Sequence, residues 1–231
     1  MKLTILNPKN PEQAFPSVTK ALKEPDGLLA IGGCLSKKRL VNAYRQGIFP
    51  WYNPGEPILW WSPDPRLVLF PEKLLISRSL RKTQRQHIFS VTLDQAFDEV
   101  INGCAQPRPG QSGTWITKDI KQAYAELFRL GIAHSAETWL DGKLVGGLYG
   151  IALGQVFFGE SMFHTQTDAS KIAFAALVGQ LKSWDYRLID CQVHSQHLVS
   201  LGAEEIPRDD FVQWLDHYCD LPASPLAWRP L

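Results

Sequence analysis

Two polar side chains interrupt an apolar run late in the sequence. In Leu188-Ile189-Asp190-Cys191-Gln192-Val193 a carboxylate and an amide lie two residues apart. On an extended strand such residues project to the same face, so Asp190 and Gln192 form a side-by-side couple. A polar couple on a core strand costs free energy unless its members satisfy each other or line a site. From the residues alone both readings stand: a satisfied buried pair, or a couple that moves a proton. A second acid sits in similar surroundings, in Val156-Phe157-Phe158-Gly159-Glu160-Ser161-Met162-Phe163. Strand alternation puts Phe157, Gly159 and Ser161 on one face, and Phe158, Glu160 and Met162 on the other. Glu160 then either pairs with a cation such as Lys171 or recognises an ammonium or guanidinium group.

Other chemistry is set aside by context. Cys191 is followed by His194 and His197, but it points away from Asp190 among apolar neighbours, which describes a packed thiol. Gly146-Gly147-Leu148-Tyr149-Gly150 lacks the GK[ST] ending of a phosphate loop and falls within a strand pattern. Cys34, Cys104, Cys191 and Cys219 are too scattered for a zinc ligand set, and reduced thiols are expected.

A nucleic-acid signal is local. Arg78, Arg81, Lys82 and Arg85 recur at helical spacing on one face, and no acid occurs between Lys73 and His87. Such a stripe can neutralise backbone phosphates, or it is a solvated surface. Trp51, between Pro50 and Tyr52, and Trp115, in Gly113-Thr114-Trp115-Ile116, sit in turn-rich segments. Their indoles can stack on bases or plug an interface.

These residues need elements to hold them. Ten of the 16 prolines lie in the first 71 residues, which predicts turns and extended pieces there. One helix stands out, capped by Ser36 and stopped by Gly47. Ser62-Pro63-Asp64-Pro65 reads as a rigid turn and a boundary. Beyond it the pattern predicts a strand from Arg66 to Phe70, a helix from Ser77 to Gln86 and a strand from Phe89 to Leu93. A helix capped by Asp94 runs to about Cys104, a loop spans Gln106 to Ser112, and Thr117 caps a further helix. Ala133–Leu140 and Lys143–Ala152 flank Asp141-Gly142 as a hairpin. A strand to Phe163, a helix from about Thr167 to Trp184, a buried strand from Arg187 to Val193 and two short helices complete an α+β chain.

The chain has 231 residues, 45% apolar and 20% charged, which is globular rather than disordered. Its net charge of +1 excludes a global basic signature. The stretch Leu144 to Gly159 carries five glycines and is too short and broken to span a bilayer. The opening residues lack a signal-peptide pattern, so a cytoplasmic protein with no membrane association is expected.

Several unusual strings occur together: Glu24-Pro25-Asp26-Gly27-Leu28-Leu29-Ala30, Tyr44-Arg45-Gln46-Gly47-Ile48-Phe49-Pro50-Trp51, Ile58-Leu59-Trp60-Trp61-Ser62-Pro63-Asp64-Pro65-Arg66, Gly113-Thr114-Trp115-Ile116-Thr117, Gly159-Glu160-Ser161-Met162-Phe163 and Leu188-Ile189-Asp190-Cys191-Gln192. In this order, from about Phe15 to Phe211, the sequence resembles the leucyl/phenylalanyl-tRNA–protein transferases of bacteria. The resemblance implies a small N-terminal domain, placed at residues 1–65, and a GNAT-like acyltransferase domain at 66–231 with a mixed, mostly antiparallel sheet. It implies a cytoplasmic monomer, using no metal or cofactor, that takes Leu or Phe (less well Met) from aminoacyl-tRNA. The residue is joined to the N-terminal Lys or Arg of a protein, marking it for N-degron degradation.

Carried over by position, Asp190 and Gln192 match the pair that handles the proton of the attacking amine. Trp51 and Trp115 match tryptophans near the 3′ adenosine, and Arg78, Arg81, Lys82 and Arg85 are then expected to hold tRNA phosphates. Glu160 matches an acid in the site, and Phe157, Leu177 and Ile189 fall where an apolar pocket holds the Leu or Phe side chain. Ser195, near the acyl group, stands where some members have Asn or Thr. Cys34 replaces the Asp of a GGDLS string and Asp168 the Asn of Asn-Ala-Ser-Lys. Two rival functions remain: an acetyl-CoA-dependent acetyltransferase, although His164-Thr165-Gln166-Thr167-Asp168 has no glycine-rich pyrophosphate cradle, and a non-catalytic RNA-binding module.

Overall fold

The computed structural model describes residues 3–107 and 113–229. The N-terminal part holds β1 (Thr4–Leu6), β2 (Leu28–Gly32), α1 (Lys37–Arg45), β3 (Phe49–Pro50) and β4 (Leu59–Trp61). Its strands form a four-stranded sheet in the order β1-β2-β4-β3. The helix begins where the Ser36 hydroxyl accepts the Arg39 N–H and ends before Gly47, whose φ is +71°. A Cβ on Gly47 would lie 2.9 Å from the Phe211 ring, so this glycine also permits close packing.

The second part runs β5 (Arg66–Leu69), α2 (Arg78–Arg85), β6 (Ser90–Leu93), α3 (Phe97–Cys104), α4 (Lys118–Arg129), β7 (Ala133–Leu140), β8 (Lys143–Leu153), β9 (Val156–His164), α5 (Ala169–Ser183), β10 (Leu188–Gln192), α6 (Gln196–Val199), β11 (Glu204–Ile206) and α7 (Arg208–Tyr218). Its seven-stranded sheet has the order β11-β5-β10-β9-β8-β7-β6. β9 and β10 pair in parallel and the other neighbours antiparallel, which gives the expected mixed, mostly antiparallel α+β fold. The β7–β8 hairpin turns on Asp141 and Gly142, both at positive φ, as a two-residue turn requires.

An apolar cluster covers each face of the large sheet. On one face Phe97, Tyr124, Tyr149 and Phe158 join Trp60, Tyr44 and Leu40 of the N-terminal part in a single core. On the other, α5 packs Ala173, Leu177 and Leu181 over Phe157 and Ile189. No helix among the described residues is long and apolar enough to cross a membrane.

The structure corrects several expectations. Asp94 does not cap α3: that helix starts after Ala96 without a side-chain cap, and the Asp94 carboxylate instead receives the Ser135 N–H (2.8 Å) and meets His134 Nδ1 (2.7 Å). Cross-strand anchoring of β7 outcompetes the local cap. The face assignment along β9 holds through Glu160 and fails beyond it. Tyr149 pairs with Ser161 and Gly150 with Gly159, so Glu160 is an extra residue and the alternation reverses. Glu160 shares a side with Phe158, while Met162 packs on the α5 side with Phe157. Strands β1, β2 and β11 were not anticipated, and residues 108–112 of the expected loop lie outside the described residues.

The bulge beside Glu160 depends on Gly150. A Cβ there would lie 2.2 Å from the Phe158 carbonyl oxygen and 2.6 Å from the Phe157 ring. Gly150→Ala should lower stability by about 1–3 kcal/mol, the usual range for overpacking. Urea midpoints would check this, and an unchanged midpoint would show that the sheet yields freely at this point.

Candidate active site

The parallel pair β9–β10 brings the acids together. Asp190 and Glu160 are both buried, and between them runs a chain of hydrogen bonds through Gln192. Asp190 is closed off completely. Arg66 donates to it twice, Nε to Oδ1 (2.8 Å) and Nη2 to Oδ2 (2.7 Å), and the Gln192 N–H donates to Oδ1 (2.9 Å). The strand register slips by one residue at this point, with Asp190 opposite Val68 and Gln192 opposite Leu67. Gln192 takes φ +64°, a left-handed conformation that costs a non-glycine residue about 1–2 kcal/mol. Its backbone bond to Asp190 offsets that cost. The couple is therefore adjacent as the strand pattern suggested, but joined through backbone rather than through side chains.

The Gln192 side chain goes elsewhere: its Nε2 donates to Glu160 Oε1 at 3.0 Å. Tyr44 from α1 donates to Oε1 (2.7 Å) and Tyr124 from α4 to Oε2 (2.9 Å). The two phenol oxygens also hydrogen-bond to each other. Lys171, the cation considered for Glu160, pairs with Asp168 instead, at 3.3 Å. The partners of Glu160 come from an N-terminal helix and from α4, which adjacency in sequence does not reveal. Helical spacing did place Tyr124 on the buried face of its helix.

Three oxygen–oxygen contacts link Tyr44, Tyr124 and Glu160, and the two phenols bring only two protons. With the carboxyl ionised, both phenols donate to it and none remains for the contact between them. When Glu160 takes up a proton it supplies the third, and one phenol then accepts from the carboxyl instead of donating to it. Burial acts in the same direction. Desolvation, with a smaller contribution from Asp190, pushes the Glu160 carboxyl up to about 7 against the tyrosine hydrogen bonds and Arg66, which lower it. Desolvation and the neighbouring Glu160 also hold the Tyr44 and Tyr124 hydroxyls well above the usual phenol range. The Tyr149 hydroxyl, buried beside them, is raised by the same causes and lacks a hydrogen-bond partner.

The remaining expected site residues fall in three places. Phe157, Leu177 and Ile189 lie in the apolar cluster beneath α5, each about 1% exposed. Trp228, near the C-terminal end of the chain, packs against Phe157 (6.0 Å between ring centroids) and stacks on His134 (3.8 Å). Nothing in its local sequence signals this contact. Ser195 precedes α6, half-buried, just beyond Gln192. Trp51 is 45% exposed, and its carbonyl receives the Trp61 indole N–H (2.6 Å), so the two rings form a tilted pair. Trp115 is half-buried against the core that carries Tyr124. Arg78, Arg81, Lys82 and Arg85 are all exposed on α2, which is anchored by buried Leu80 and by Thr83 donating to Asp168 (3.0 Å). Cys191 packs toward α5, and burial pushes its thiol far up, as a packed thiol requires.

The sequence profile of the leucyl/phenylalanyl-tRNA protein transferase family matches residues 68–216, and that of the family's N-terminal domain matches residues 33–64. A leucyl/phenylalanyl-tRNA–protein transferase of Methylococcus capsulatus is 59% identical over 227 residues, 98% of this chain and 97% of the relative. Another, from Nitrosomonas europaea, is 56% identical over 93% of this chain and 91% of its own length. Among solved structures, a GCN5-related N-acetyltransferase from Kribbella flavida is similar at a TM-score of 0.37 and 12% identity, covering 73% of this chain and 59% of the other. The two profiles and these relatives define a transferase with a small N-terminal domain and a larger α+β C-terminal domain. The chain belongs to the leucyl/phenylalanyl-tRNA protein transferase family.

The proton ring has a measurable consequence. A carboxyl raised from about 4.5 to about 7 binds more protons in the folded than in the unfolded state between those values. Its contribution to stability is complete below about pH 4.5 and is lost as pH rises through 7. Relative to Glu160→Gln, the wild type should therefore be more favoured at pH 5 than at pH 8, by on the order of 3 kcal/mol. Urea unfolding of both proteins across that range tests the sign. A flat difference, or one that grows with pH, would mean that the carboxyl stays ionised.

Proposed function

We propose that the protein transfers Leu or Phe from aminoacyl-tRNA to proteins, as the names of its relatives suggest, and further that it takes Met less well, that the acceptor is an N-terminal Lys or Arg, and that transfer marks the acceptor for N-degron degradation. The observation that carries this reading is the hydrogen-bonded line Asp190–Gln192–Glu160, set into two otherwise apolar parallel strands. The chemistry is aminolysis of an activated ester. The attacking nitrogen bonds to the acyl carbon, the bond from that carbon to the ribose oxygen breaks, and the proton lost by the amine is matched by one gained at the ribose oxygen. No covalent enzyme intermediate is needed.

An α-amine has a pKa of about 7.7–8, so only a minor fraction is free base at pH 7. A neighbouring acid that titrates near 7 is matched to accept and return its proton. Glu160 has that property. Asp190 acts through Gln192: its charge is held by Arg66, and its role is to fix the residue that spans to Glu160.

The acyl side chain would take its apolar surroundings from Phe157, Leu177 and Ile189, which lie under α5 on the face of the sheet opposite Glu160. An apolar site that fits an unbranched Cβ separates Leu from Ile by about 1–3 kcal/mol. Trp51 and Trp115 offer stacking faces to the terminal adenosine, and the exposed α2 stripe engages tRNA phosphates without reading sequence. No observation favours acetyl-CoA chemistry or a purely RNA-binding role.

Transfer of labelled Leu from charged tRNA to a peptide starting with Arg, with a peptide starting with Ala as control, tests the reading. Transfer to the Arg peptide alone is expected, and equal labelling of both would refute the acceptor assignment. Asp190→Ala should lower turnover by about a hundredfold or more, with tRNA affinity nearly unchanged. A variant with normal turnover and weakened tRNA binding would remove Asp190 from the chemistry. Raising salt from 50 to 200 mM should weaken tRNA binding by about a hundredfold if the four α2 cations each meet a phosphate. Affinity independent of salt would exclude that role.

A further inference from the structure

We propose that Arg66 is a positioning residue for the transfer: its two-pronged grip on Asp190 sets the bulge that turns the Gln192 amide onto Glu160. The inference rests on reading Asp190, Gln192 and Glu160 as the transfer site.

A carboxylate that must hold a strained backbone N–H has to be fixed about its own side-chain torsions. Arg66 does this with two parallel bonds, 2.8 Å and 2.7 Å long, which a single point charge cannot reproduce. The guanidinium is itself immobile. Its Nη1 donates to the Gly47 carbonyl at 3.1 Å, and the rings of Phe49 and Phe211 lie 4.8 Å and 4.7 Å from its central carbon. The plane of the fork is thus set by three segments: the end of α1, β3, and α7.

With Asp190 so fixed, its Oδ1 captures the Gln192 N–H, Cys191 is passed over in the register against β5, and Gln192 turns to φ +64°. That turn directs Nε2 to Glu160 Oε1. The same helix α1 serves both ends of the line, carrying Tyr44 to Glu160 and, three residues on, the Gly47 carbonyl to Arg66.

Arg66→Lys keeps the charge and removes the fork. In the full-length enzyme, with leucyl-tRNA and an Arg-initiated peptide, it should lower kcat by about tenfold or more and leave KM for the charged tRNA within about twofold. If Arg66 acts through Gln192, the substitution costs less than about twofold further in a Gln192→Ala background, whereas a merely structural role gives losses that multiply. Multiplying losses would overturn the proposal. The pH at which kcat half-changes should stay put, because a cation remains beside the site.

Should Arg66→Lys fail to fold, Asp190→Asn, which preserves shape while weakening both prongs, must show the same dependence on Gln192. A readout independent of activity is hydrogen exchange of the Gln192 N–H. It should exchange about tenfold faster or more in Arg66→Lys, with β8 and β9 unchanged. Unchanged exchange would overturn the proposal. Faster exchange in a protein whose wild type transfers nothing to the Arg peptide would instead overturn the transfer reading and uphold the grip.

Discussion

A guanidinium and a carboxylate withdrawn from water each carry a desolvation cost of several kcal/mol, which only close, saturated pairing can offset. Arg66 and Asp190, 1% and 0% exposed, meet that condition with two mutual bonds, a backbone carbonyl and two flanking rings. Removing either partner would leave a bare charge in the core. The segments that enclose the pair are therefore tied together: β5 and β10 of the large sheet, the end of α1 with β3, and α7. The N-terminal sheet is part of the same constraint, which explains why one apolar cluster runs through both sheets without a break.

Glu160 expresses a different consequence of burial. Among the described residues no cation forms an ion pair with it, so desolvation outweighs the more distant Arg66 and raises its affinity for a proton, and two tyrosines with one glutamine hydrogen-bond to it. Two carboxyls on neighbouring parallel strands thus behave differently. One is held in place by its fork; the other is raised by burial to about 7, against the hydrogen bonds of its phenols. A β-bulge lies beside each of them, at Gln192 on β10 and at Glu160 on β9.

Much of the scaffold is legible from local physics. Ser36, Ser77 and Thr117 cap their helices as their side-chain oxygens allow, and Asp141-Gly142 makes its hairpin because both residues tolerate positive φ. Apolar spacing placed Tyr124 and Leu177 on buried faces. The short strands β1, β2 and β11 escaped notice because three to five residues carry too little pattern. Their stability comes from pairing partners remote in sequence, Thr4 with Ala30 and Ile206 with Arg66 among them. Asp94 misled for a related reason, since its local cap was outcompeted by β7.

By itself the sequence determined the α+β class, the principal helices and hairpin, the family likeness, and the short list of polar residues that an apolar strand would not carry without cause. Each of these rests on periodicity, on capping chemistry or on residue types over a few neighbouring positions, all of which act locally. Tertiary structure alone decided that Arg66 closes on Asp190, that the Gln192 side chain reaches Glu160, and that Tyr44 and Tyr124 meet on Glu160. Those contacts join residues 32 to 124 positions apart, and their geometry depends on single-residue slips in strand register. A slip of that kind is set by the packing of whole sheets and leaves no local signature in the chain.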